Sequence, residues 1–200
     1  MHIHRKYTRL RGYDYATCGA YFLTVNTYGR ARLFGDIVNL GHGAQIDLSP
    51  FGRIVQECWD AIPDHFPTVH LDTFQIMPDH VHAIVVILDD HAPSDPAVGP
   101  RSTYMTPRSI SGNGADRGGA STLPRERRPN GVKPRSVGAI VGSFKSAATK
   151  RINLARGTPG APVWQPNYHD RIIRNAAEHD RIATYIFENP AKWLHPHVPG

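Results

Sequence analysis

The chain has 200 residues, 40% of them hydrophobic, and a formal net charge of +6. That length suits one domain with a core of its own, and the charge favours a polyanionic partner without naming one. No apolar run approaches the roughly 20 residues that span a bilayer. The start, Met1-His2-Ile3-His4-Arg5-Lys6, lacks the apolar segment of a secretory signal, and Cys18 and Cys58 are too few for a disulfide framework. The expectation is a cytoplasmic protein with no membrane partner.

Residues 1–19 are polar and basic, with Arg5, Lys6, Arg9 and Arg11. They read as an arm, either a solvated tail or a source of phosphate contacts. Tyr21 to Thr27 alternates apolar and polar residues and predicts a strand. Leu33 to Val38 suits a short strand or an extended loop between glycines. Ser49 and Pro50 open a predicted helix, Ser49 as the cap and Pro50 in the first turn. Its apolar stripe is Ile54, Val55, Cys58 and Ile62, and Pro63 is expected to stop it. Val69 to Ile76 predicts another strand. It forms a hairpin, through a turn at Pro78-Asp79, with the β-branched run His80-Val81-His82-Ala83-Ile84-Val85-Val86-Ile87-Leu88.

Residues 91–135 hold seven prolines and six glycines and almost no apolar periodicity. Eight basic residues stand there against three acidic ones, a surplus of +5 in a chain of net +6. Such a stretch cannot bury a core and reads as a flexible insertion, either a linker or an electrostatic clamp. The expected organisation is one domain from residues 20–90 and 136–194, with the arm and the insertion as appendages. From Ser136 a helix is predicted with Val137, Ile140, Val141, Phe144, Ala148 and Ile152 on its apolar side. Val163 to Gln165 and Arg171 to Arg174 form a last extended element. Asn175 caps a final helix, with Glu178 at the capping-box position and Pro190 marking its expected end.

Two constellations carry chemistry. Side chains alternate along a strand, so His80 and His82 share one face and their imidazoles can bind one divalent cation side by side. Two histidines at this spacing also occur as ordinary surface or core residues. On the final helix Tyr185 and Asn189 are four residues apart and lie on one face. A tyrosine beside a divalent cation is a plausible phosphodiester nucleophile, and an amide oxygen suits Mg²⁺ or Mn²⁺; a half-buried core tyrosine is the plainer reading. Candidate phosphate contacts are Lys145, Lys150 and Arg151 on the helix after the insertion, and Arg171, Arg174 and Arg181 near the last one. Each is equally readable as solvated charge.

In order along the chain stand Tyr21-Phe22-Leu23-Thr24, Phe74-Gln75-Ile76-Met77-Pro78-Asp79-His80-Val81-His82, Ile140 to Ser146, Val163-Trp164-Gln165 through Arg174, and Tyr185-Ile186-Phe187-Glu188-Asn189-Pro190. This series resembles the IS200-type single-tyrosine transposases of the HUH nuclease class, most of all the REP-associated tyrosine transposases. The resemblance spans roughly residues 13–90 and 136–194. It implies an α+β fold, a ferredoxin-like core with an antiparallel sheet and packed helices. It implies that His80 and His82 bind Mg²⁺ or Mn²⁺, with Asn189 at the position of a third ligand that relatives often fill with Gln. It implies that Tyr185 attacks single-stranded or hairpin DNA, leaving a 5′-phosphotyrosine link and a free 3′-hydroxyl. Tyr168 is the rival nucleophile. The large basic insertion departs from the compact family pattern and leaves a monomer and a homodimer both open. Two other classes stay in view: a nucleic-acid-binding module derived from a transposase, in which Tyr185 only stacks a base, and a metal-dependent hydrolase with no covalent intermediate.

Overall fold

A computed structural model describes residues 14–39, 41, 43–89 and 133–194. The arm up to residue 13 and the expected insertion up to residue 132 lie outside the described residues. Within them the elements run β1 (Gly19–Asn26), a 3₁₀ turn (Tyr28–Arg30), β2 (Gly35–Asn39), β3 (Ala44–Leu48), α1 (Pro50–Asp60), α2 (Ile62–His65), β4 (Val69–Met77), β5 (His80–Ile87), α3 (Val137–Ala155), β6 (His169–Ile173) and α4 (Ala176–Leu194).

Four strands form one antiparallel sheet in the order β4-β5-β1-β6. With α1 between β1 and β4, and α3 between β5 and β6, this is the ferredoxin-like arrangement of two interlocked βαβ units. The α+β reading is therefore correct. Alternation decides which residues face which layer. Tyr21, Leu23 and Val25 of β1 and Val81, Ala83, Val85 and Ile87 of β5 join Val55 and Trp59 of α1 and Ile140, Phe144, Ala148 and Ile152 of α3 in the main core. Trp59 stacks on Phe74 at 4.5 Å and meets Phe144 edge-on at 5.3 Å. The opposite face carries Ala20, Ile84, Val86 and Ile173, covered by Ile186 of α4. β5 is thus buried on both faces, which accounts for its unbroken apolar run after His82.

The helix starts follow the capping residues. Ser49 accepts a hydrogen bond from the Gly52 amide at 3.1 Å, Ser136 from Ala139 at 3.3 Å and Asn175 from Glu178 at 2.8 Å. The Glu178 carboxylate reaches back to the Arg174 amide at 3.0 Å, one residue before the cap. Residues 14–18, read as the end of the arm, form a turn in which Tyr15 packs on the core and its carbonyl accepts from the Val137 amide at 3.0 Å.

Three expectations are corrected. Pro63 does not stop α1, which ends at Asp60; the proline sits in the first turn of α2, where its missing N–H costs nothing. Strand β3 was not foreseen; it pairs with β2 in a separate hairpin, closed so tightly that a Cβ at Gly35 would lie 2.0 Å from the Asp47 carbonyl oxygen. Pro190 does not end the last helix, which runs on to Leu194. A proline inside a helix costs about 3 kcal/mol. Here Ile186, Asn189 and Pro190 are all buried, and α4 packs against the sheet and the β2–β3 hairpin, burial that offsets the cost. Among the described residues no helix is long and apolar enough to cross a membrane.

Candidate functional site

His80 and His82 lie on the α4 face of β5 and are both buried. Their Nε2 atoms are 3.1 Å apart. Each Nδ1 is held from behind. Asp79 Oδ1 lies 2.6 Å from Nδ1 of His80, and Thr24 Oγ1 lies 2.9 Å from Nδ1 of His82. The Thr24 contact follows from register, because β1 and β5 pair Thr24 with His82 and Asn26 with His80. Two imidazole nitrogens at about 2.1 Å from one ion, a right angle apart, are separated by about 3.0 Å. The pair therefore fits a shared divalent cation. It also fits a single Nε2–H···Nε2 hydrogen bond. The Thr24 hydroxyl serves either state: it donates to a bare Nδ1 of His82, or accepts from Nδ1–H and frees Nε2 as a ligand. Burial, then the adjacent charge of His80, pushes His82 down to about 3, so its ring is neutral over the pH range in which it would bind a metal.

The last helix closes this face. The Tyr185 ring meets His82 edge-on at 5.4 Å and Phe22 at 6.3 Å, and Trp193 lies 6.0 Å from His80. Asn189 is buried and sits four residues from each, on the stripe that both rings define. Tyr185 is 43% exposed, so its ring packs against the histidine face while part of the side chain reaches solvent. The Lys192 ammonium lies 5.3 Å from the Tyr185 ring centroid and pairs with Glu188 at 2.9 Å. Among the described residues no group of three or more His, Cys, Asp or Glu side chains is placed to hold a metal ion.

The remaining candidates separate. Lys145 donates to the carbonyls of Gln165 and Pro166 at 2.6 and 3.1 Å, and burial lowers its pKa. Arg151 pairs with Glu57 of α1, whose hydrogen bond raises its pKa. Lys150 lines, with Lys145, a groove of about 710 Å³ between α3 and residues 159–166. Arg171 pairs with Glu178 at 2.6 Å, and Arg181 borders a hollow of about 320 Å³ beside Tyr185. Arg174 lies at the entry to α4, where its amide binds Glu178. Tyr168 packs against the main core. The structure thus brings His80, His82 and Tyr185 together, places Asn189 buried one helical turn from Tyr185, and leaves Tyr168 against the main core.

Four neighbours of the site were not read from sequence: Thr24, Arg30, Asp79 and Trp193. Asp79 had a signal, a carboxylate adjacent to a histidine, but was read only as a turn residue. Trp193 stands at the i+4 position from Asn189, beyond the expected end of the helix.

No family model matches the chain. An uncharacterized protein of Haemophilus influenzae is 31% identical over 194 residues, covering 95% of this chain and 90% of that one. The chain belongs to that protein's family. Among solved structures, a REP-associated tyrosine transposase bound to a REP hairpin superposes with a TM-score of 0.50 at 16% identity, over 99% of this chain and 76% of that one. The chain therefore shares the α+β fold of that tyrosine transposase, and the histidine pair and α4 sit on that fold.

Proposed function

We propose that the chain is a divalent-metal-dependent single-stranded DNA nuclease and strand transferase of the tyrosine-transposase class, acting on hairpin or palindromic repeat DNA. The carrying observation is the convergence of two buried imidazole Nε2 atoms, 3.1 Å apart, beside a partly exposed tyrosine on the same face. The hairpin-bound transposase of the same fold supports the choice of substrate.

In this reading His80, His82 and Asn189 hold Mg²⁺ or Mn²⁺, which supplies polarisation of the scissile phosphate and relief of the charge that develops on it. Tyr185 Oη gives up its proton and forms a bond to phosphorus, the bond from phosphorus to the 3′-oxygen breaks, and the leaving oxygen takes up a proton, so that the net proton count is unchanged. The downstream strand is then joined to the enzyme as a 5′-phosphotyrosine, and the free 3′-hydroxyl can reverse the step or be replaced by another. Asp79 and Thr24 keep the imidazoles oriented throughout. Lys145, Lys150, Arg151, Arg171, Arg174 and Arg181 are the proposed backbone contacts. Residues 14–90 and 133–194 make up the nuclease domain in this proposal, with residues 1–13 and 91–132 as basic appendages.

The test is cleavage of labelled hairpin DNA with Mg²⁺ or Mn²⁺, and with a chelator. His80→Ala and His82→Ala are expected to abolish cleavage and to retain most of the DNA affinity, which phosphate contacts dominate. Full cleavage by His80→Ala with an unchanged metal requirement would remove the metal-site reading. Binding without cleavage by the unaltered protein would favour the non-catalytic module.

A further inference from the structure

The loop after β1 grips the turn before β5. Thr27 is fully buried; its amide donates to the Asp79 carbonyl at 2.9 Å, its hydroxyl lies between that carbonyl and the one of Ala31 at 2.9 and 2.8 Å, and the Phe34 amide donates to the Pro78 carbonyl at 3.1 Å. In the middle of this loop Arg30 has φ of +58°, next to Gly29 at +62°. Glycine takes that conformation freely; a side-chain residue there is uncommon and strained. The backbone conformation aims the Arg30 guanidinium back at the site. Its Nε lies 2.9 Å from Asp79 Oδ2, and its Nη1 donates to Asn26 Oδ1. The other oxygen of the same carboxylate, Oδ1, faces His80 Nδ1 at 2.6 Å.

We propose that Arg30 is a positioning residue for the histidine pair: it fixes the Asp79 carboxylate, which fixes His80 with its proton on Nδ1 and its Nε2 lone pair turned toward His82. The inference rests on the proposed metal site for its purpose and on the Arg30–Asp79–His80 contacts for its geometry. Asp79 is buried and Arg30 is half exposed. A buried carboxylate left to itself is free to rotate between His80 and water; the guanidinium, a planar fork held at a second point by Asn26, removes that freedom. Carboxylates placed behind ligating histidines set their tautomer and orientation, and their loss typically costs 10–100-fold in metal affinity. Arg30 acts one step further out.

The variant of choice is Arg30→Gly, which removes the side chain and suits the left-handed backbone, so relieved strain offsets part of the lost ion pair with Asp79 and the protein is expected to stay folded. Two readouts follow. In metal-free protein labelled with ¹⁵N-histidine, the unaltered chain is expected to show His80 as a single Nδ1–H tautomer, and Arg30→Gly a mixture. In an electron paramagnetic resonance titration with Mn²⁺, Arg30→Gly is expected to bind about 10-fold more weakly. Arg30→Lys keeps the charge but not the fork and should fall between the two. In an Asp79→Ala background, Arg30→Gly should have no further effect. Unchanged His80 shifts and an unchanged Mn²⁺ titration in Arg30→Gly would overturn the inference, as would an equal loss with and without Asp79. If the unaltered protein bound no Mn²⁺, the proposed function would fail instead, and the tautomer comparison would still decide the role of Arg30.

Discussion

Under α1 and α3, strands β1 and β5 present Tyr21, Leu23, Val25, Val81, Ala83, Val85 and Ile87, all buried and all apolar. On the other face the same two strands divide along their length. Ala20, Ile84 and Val86 at one end meet Ile186 of α4. At the other end Thr24, His80 and His82 meet Tyr185 and Trp193 of the same helix. One face is closed by hydrophobic burial throughout. The other is anchored by it for half its length and given over to polar side chains for the rest. Buried polar groups cost free energy unless they are hydrogen-bonded, and both imidazoles have partners at both nitrogens. The lesson is that the apolar half of α4 is what holds its polar half in register with the histidines.

The contrast is broken most strongly from the apolar side. Phe144 is buried between Trp59 and Trp164, at centroid distances of 5.3 and 5.5 Å. Phe144→Ala should cost about 3–5 kcal/mol in denaturant unfolding, by lost burial and a residual cavity. A cost below about 1 kcal/mol would mean that α3 does not close the core as described.

A smaller effect sharpens the comparison from the polar side. Burial holds the folded His82 at about 3, below its ordinary 6.5. The unfolded chain therefore takes up a proton at this position as pH falls through 6.5, and the folded chain does not until about 3. Stability from this group is complete above the upper value and is lost as pH falls between the two. In metal-free protein, His82→Asn should flatten the acid side of the stability curve, by up to about 1.4 kcal/mol per pH unit relative to the unaltered chain. Parallel curves for the two proteins would show that His82 is not held neutral.

The parts of this site that were legible in sequence are those set by local periodicity. Strand alternation put His80 and His82 on one face, and helical spacing put Tyr185 and Asn189 on another. The parts that were hidden depend on pairing between distant segments. Thr24 reaches His82 because β1 and β5 align at that register, which no local pattern specifies. Asp79 has a role because Arg30 arrives from another loop in a left-handed conformation that a sequence does not advertise. Trp193 was hidden by Pro190, since a local rule ends the helix there and tertiary packing carries it through. The same limit applies to β3 and its pairing with β2: Leu33 to Val38 was legible as a short strand or an extended loop, but no local pattern specified its partner.

If α4 brings a nucleophile to the histidine pair, that nucleophile can be trapped on DNA. Labelled single-stranded hairpin DNA is incubated with the protein and Mn²⁺, quenched rapidly, run on a denaturing gel, and any adduct is mapped by peptide analysis. The account predicts a covalent adduct on Tyr185. It also predicts loss of that adduct in Tyr185→Phe with single-strand binding intact, and its retention in Tyr168→Phe. An adduct that maps to Tyr168 or persists in Tyr185→Phe would contradict it, and so would cleavage by the unaltered protein with no adduct at the shortest quench time.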